Sequence, residues 1–258
     1  MRFARTLSAV TACLALLALR AAAAEPVRVA AASDLRYALA ELRTQHVSAR
    51  PGASIELVFG SSGKLAAQIA NGAPFDLFFS ADAAYPRRLR DKGLCAGEPR
   101  LYARGRLVVW CPREPAGSVT IADLAAPRFR KLAIANPRHA PYGQRARQAL
   151  EKAGVLSAVE QRLVLGENVS QAAQLVESGA AEVGLVALSL LFNPSLERAD
   201  RYTLVPESMH QPLDQSFCVL ERAAANSEAV AFASYCESQA ARDTLRRYGF
   251  ATPGGKFP

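Results

Sequence analysis

The chain has little of what marks a common enzyme, a metal protein or a membrane protein. Its 258 residues hold three histidines, His46, His139 and His210, too far apart in sequence to suggest a shared metal or a recognisable catalytic base. No Gly-x-Ser-x-Gly occurs, which excludes a nucleophile elbow. The segment from Gly60 to Lys64 lacks the four-residue gap and the hydroxyl after the lysine that a phosphate loop requires. No Cys-x-x-Cys is present, so neither a redox dithiol nor a zinc knuckle is indicated. No apolar run is long enough to cross a bilayer; residues 7–19 fall short. The basic residues are scattered, apart from short runs at 87–90 and 128–131. Without interleaved aromatics these read as solvated faces, not as a nucleic-acid surface.

What is present begins with a leader. Arg2 and Arg5, the apolar run and the alanines at 21–24 make residues 1–24 a secretory signal peptide. Removing it takes away three arginines and no acid, so the formal charge falls from +8 to +5. The remaining chain is expected to work outside the cytoplasm. There Cys95, Cys111, Cys218 and Cys236 can pair in three ways. Cys111 and Cys218 both lie in strand-like runs and could be neighbours.

Apolar β-branched runs at 27–32, 55–59, 76–80, 106–111, 131–135, 162–165, 182–186 and 215–220 read as strands. Helical spacing follows most of them, with helices expected at 81–93 and 144–154 and one or two at 227–247. Strand and helix alternate, which predicts an α/β fold with mostly parallel sheets flanked by helices. The same architecture recurs in the second half without a repeated sequence. We therefore expect two lobes, one from 25–107 and 216–258 and the other from 108–215, joined by crossing strands.

Four strand–helix junctions stand out. Ser33 follows the first strand. Ser62, within Gly60-Ser61-Ser62-Gly63, follows the second. Tyr142-Gly143 precedes the helix after the 131–135 strand, and Asn168-Val169 starts the helix after the 162–165 strand. Each puts free backbone N–H groups, with partial positive charge, at the carboxyl end of a parallel strand. That is the edge where open α/β sheets bind ligands, and an anion suits it. No Arg or Lys is aimed at the four junctions, so the site favours an oxyanion that only accepts hydrogen bonds. Asp34 is expected to cap its own helix, turned away from the cleft. A serine hydroxyl at 61–62 would serve at least as an N-cap, and His139 at a polar turn is expected to be solvated.

These segments resemble the periplasmic molybdate-binding proteins of ABC transporters. The likeness rests on Ala31-Ala32-Ser33-Asp34-Leu35, Phe59-Gly60-Ser61-Ser62-Gly63 and the run from Gly72 to Asp82. It continues with Asn136-Pro137, Ala140-Pro141-Tyr142-Gly143, Glu167-Asn168-Val169 and Arg247-Tyr248-Gly249-Phe250. The resemblance implies a type II periplasmic binding-protein fold that closes on molybdate. Ser33 and Ser62 would give hydroxyl and amide, Tyr142 would hold the third position, and Val169 would donate its amide. These would be ligands of the oxyanion, not of the metal itself, and no cofactor is expected. Where some relatives supply a tyrosine hydroxyl this chain has Ala187, and Tyr142 is placed to restore that donor. The resemblance also implies delivery to an inner-membrane permease with its ATPase, and a monomer. Tungstate is nearly indistinguishable from molybdate in size and charge. Sulfate, phosphate or an organic anion is the alternative ligand, and a periplasmic enzyme on the same fold the alternative class.

Overall fold

The computed structural model describes residues 25–252; the expected signal peptide lies outside them. The chain begins with β1 (Val27–Ala32), α1 (Arg36–Ala49), β2 (Ile55–Gly60), α2 (Ser62–Ala70), β3 (Leu77–Ser80), α3 (Ala84–Asp91) and β4 (Arg100–Gly105). It continues with β5 (Leu107–Trp110), β6 (Leu132–Ala135), α4 (Pro141–Lys152), α5 (Leu156–Val159), β7 (Leu163–Gly166), α6 (Val169–Glu177), β8 (Val183–Ala187) and β9 (Tyr202–Leu204). β10 (Leu213–Val219), α7 (Ser227–Cys236) and α8 (Gln239–Arg247) complete it.

The strands form two five-stranded sheets, ordered β2-β1-β3-β10-β4 and β7-β6-β8-β5-β9. β1 runs parallel to β2 and β3, and β6 parallel to β7 and β8. In the first sheet β10 is antiparallel to both its neighbours, and in the second β5 is. The two-lobe α/β architecture is therefore present, with the same strand order in each half. Only Arg106 separates β4 from β5, so the chain changes sheet there and returns between β9 and β10.

Strands covered on both faces read as unbroken apolar runs. β8 and β3 are buried at every position, and Phe79 stacks on Phe217 at 4.7 Å between ring centroids. β4 and β9 escaped the sequence pattern because they lie at sheet edges, where charge and exposure are tolerated. β4 carries two arginines and an exposed Leu101, and Arg104 bonds Asp214 of β10 at 2.6 Å.

Two expectations are corrected here. The helix expected at Gln144 starts at Pro141, because proline at the first helical position has its φ already set and no N–H to lose. Tyr142 thus sits in the first turn of α4. Gly143 makes that turn possible: a Cβ there would lie 2.0 Å from the Ala135 carbonyl oxygen. The disulfide joins Cys95 to Cys218, with Cα atoms 6.0 Å apart, not Cys111 to Cys218. Cys218 is in the first sheet, whereas Cys111 follows β5 of the second and turns its buried thiol to the Glu182 carbonyl.

Candidate functional site

The carboxyl ends of the parallel strands of both sheets face one another across a small cavity. Its wall includes Ser33, Asp34, Ser61 and Ser62 from one lobe and Ala140, Pro141, Tyr142 and Val169 from the other. All four residues singled out in the sequence, Ser33, Ser62, Tyr142 and Val169, line it. No lysine or arginine is in the wall, and among the described residues no cluster of His, Cys, Asp and Glu could hold a metal ion.

Each lining group is positioned by the backbone that carries it. Ser62 is the first residue of α2 and is fully buried. Its Oγ accepts from Ala81 N at 3.0 Å, which leaves the hydroxyl proton to give. Ser33 opens the short turn after β1, and its Oγ accepts from Ser170 N of α6 at 3.3 Å, across the lobe boundary. Val169 is the first residue of α6, so its N–H has no acceptor within the helix. Asn168 caps that helix, its side chain accepting from Gln171 N at 3.0 Å. The three helices beginning here, α2, α4 and α6, all point their positive ends at the cavity.

Contacts between lobes close the rim. Gly63 N donates to the His139 carbonyl at 2.9 Å. Ser61 holds the N-cap position of α2, but its side chain makes no cap; its Oγ lies 2.8 Å from His139 Nδ1. His139 is therefore not a solvated turn residue, because the facing lobe covers it; burial and Lys64 together hold its pKa below the ordinary 6.5. Further out, Lys64 pairs with Glu167, and deeper at the boundary Arg145 Nη2 bonds Asp82 Oδ2 at 2.8 Å.

Asp34 departs most from expectation. It makes no cap, because its side chain turns inward, where it is 1 % exposed. Gln215 Nε2 donates to Asp34 Oδ2 at 2.6 Å, and Tyr102 Oη donates to Gln215 Oε1 at 2.6 Å. Asp34 Oδ1 and Tyr142 Oη are both buried without a partner of good hydrogen-bond geometry, although each side chain acts on the other's titration. Burial, only partly offset by hydrogen bonds from Gln215 and Tyr142, pushes the Asp34 carboxyl up to about 6. Sequence reasoning missed Gln215, Tyr102 and the Ser61–His139 contact. They arrive from chain segments with no local signal.

Known proteins resemble this chain over most of its length. A family model for bacterial extracellular solute-binding proteins matches residues 27–251. The chain is 35% identical to the molybdate-binding protein ModA of Azotobacter vinelandii, over 91% of its own length and 93% of that protein's. It is 34% identical to ModA of Rhodobacter capsulatus, over 97% and 99% of the two chains. The solved periplasmic molybdate-binding protein of A. vinelandii aligns with a TM-score of 0.81 at 31% identity, covering 88% of this chain and 99% of that one.

Proposed function

The chain belongs to the bacterial extracellular solute-binding proteins, and from that premise we propose that it captures molybdate and delivers it to an ABC importer. The observation that carries the reading is the cavity itself: donors from two lobes converge on it with no counter-cation in the wall. Hydroxyls and helix N-termini suit an oxyanion that brings no proton of its own. In this reading the Ser33 and Ser62 hydroxyls donate to the ligand, and the N–H groups of Ser33, Ser62, Tyr142 and Val169 complete the cradle. The molybdenum atom itself meets no protein ligand, and no cofactor takes part.

Family membership places the protein outside the cytoplasm. We further infer a periplasmic monomer, released from a signal peptide at residues 1–24, that docks on an inner-membrane permease with its ATPase. Tungstate should bind comparably, being alike in size and charge. Thermal unfolding with molybdate, tungstate, sulfate and phosphate at equal concentration tests the reading. At a hundredfold excess over its dissociation constant a ligand stabilises the fold by about 2.7 kcal/mol. Molybdate and tungstate should lead; a larger rise with sulfate or phosphate would reject them.

One observation favours a second reading, a hydrolase, because Ser61 Oγ and His139 Nδ1 are 2.8 Å apart. Yet the two come from opposite lobes, and Glu167, 4.0 Å from His139 Nε2, is exposed and paired with Lys64. Ester or phosphate turnover that disappears in Ser61→Ala would support the hydrolase; its absence supports binding alone.

A further inference from the structure

Asp34 is an acid in the wall of a cavity otherwise suited to anions. An ionised carboxylate there would face a doubly charged ligand among buried residues, with no cation in the wall between them. We propose that capture of the dianion takes up one proton per ligand, held on Asp34, and that this residue sets how binding responds to pH. The inference rests on the molybdate reading above and deepens it.

The surrounding groups make the proton useful. With Asp34 ionised, the Tyr142 hydroxyl is drawn to the carboxylate as a donor. With a proton from solvent on Oδ1, the acid becomes the donor, Tyr142 Oη accepts, and the phenol keeps its own proton free to give. Gln215 continues to donate to Oδ2 in either state. Gly105 leaves room for this arrangement, since a Cβ there would lie 2.1 Å from Tyr142 Oη and 2.6 Å from Gln215 Nε2.

The groups facing Asp34 are Tyr142 of α4, Tyr102 of β4 and Gln215 of β10; Ser189, after β8, donates its hydroxyl to the Asp34 carbonyl. Burial holds both phenols well above their ordinary range, so neither titrates near neutrality. On α1 and α6, which pack on the same turn, Arg36 and Glu177 act on Tyr37 instead. His139 at the rim titrates on the acid side of its ordinary value. The direction follows. Asp34 is neutral below about 6 and ionised above it. A ligand that requires the neutral form binds best at and below that pH and more weakly as pH rises.

The test is calorimetric titration of the protein with molybdate between about pH 6 and 9, in buffers of different ionisation enthalpy. The dissociation constant should rise by up to about tenfold per pH unit in the alkaline part, with proton uptake approaching one per ligand. Asp34→Asn should abolish both the slope and the uptake, whatever its absolute affinity. A flat wild-type profile with tight molybdate binding and no uptake overturns the proposal and leaves the function standing; so does a slope that persists in Asp34→Asn. Should that variant fail to fold, the wild-type buffer series decides alone. Preference for hydrogenphosphate, whose O–H an ionised Asp34 would accept, overturns both.

Discussion

The two lobes share a strand order but present different chemistry to the cavity. The first offers side-chain hydroxyls, Ser33, Ser61 and Ser62, on a backbone kept open by Ala32, Gly60 and Ala81. The second offers backbone N–H groups at the starts of α4 and α6, beneath Pro141, Tyr142 and Val169. One wall can be altered atom by atom through its side chains. In the other, apart from the Tyr142 hydroxyl, the donors move only when a helix moves. A ligand held between them meets helix starts on both sides, with most of the side-chain hydroxyls on the first.

The comparison is broken most sharply where the lobes meet. A Cβ at residue 63 would lie 2.6 Å from the His139 carbonyl oxygen. Gly63→Ala should therefore obstruct closure while leaving both sheets intact. We expect molybdate affinity to fall about 100-fold, an overpacking cost of roughly 2–3 kcal/mol borne by the closed state. Unfolding stability without ligand should change by less than about 1 kcal/mol. Titration and chemical denaturation on the same sample check both, and unchanged affinity would mean that the rim contact is dispensable.

Within the walls, Ser62→Ala removes a donor to the ligand and the acceptor for Ala81 N. It should weaken binding about 10- to 30-fold. Tyr142→Phe should cost less, about tenfold at most, because its hydroxyl has no further partner to lose, whereas Ser62 also accepts from Ala81 N. The reverse ranking would move the decisive side-chain donor to the second lobe. The smallest effect belongs to the exposed Lys64–Glu167 pair. Lys64→Ala should change affinity about threefold or less, and the difference should vanish at high salt.

Strand–helix alternation and the four junctions were legible because they are local. A short apolar run gives way to helical spacing, with small residues between. The edge strands β4 and β9 were not, since their residues answer to solvent as much as to the sheet. Asp34 shows the deeper limit. Its position after β1 suits a cap, but Gln215, 181 residues away, supplies the partner that turns it inward. The Cys95–Cys218 bridge is of the same kind, spanning 123 residues. Pairings set by which sheet a strand joins cannot be read from the strand alone.

β10 lies between β3 and β4 in the first sheet yet follows the whole second lobe in the chain. Until residues 213–219 emerge from synthesis, β3 and β4 have no strand between them and Cys95 has no sulfur partner. The amino-terminal half therefore cannot reach its finished form ahead of the carboxyl-terminal quarter. The second lobe, continuous in the chain from β5 to β9, needs nothing from β10, so of the two it is the first lobe that must wait for the end of the chain.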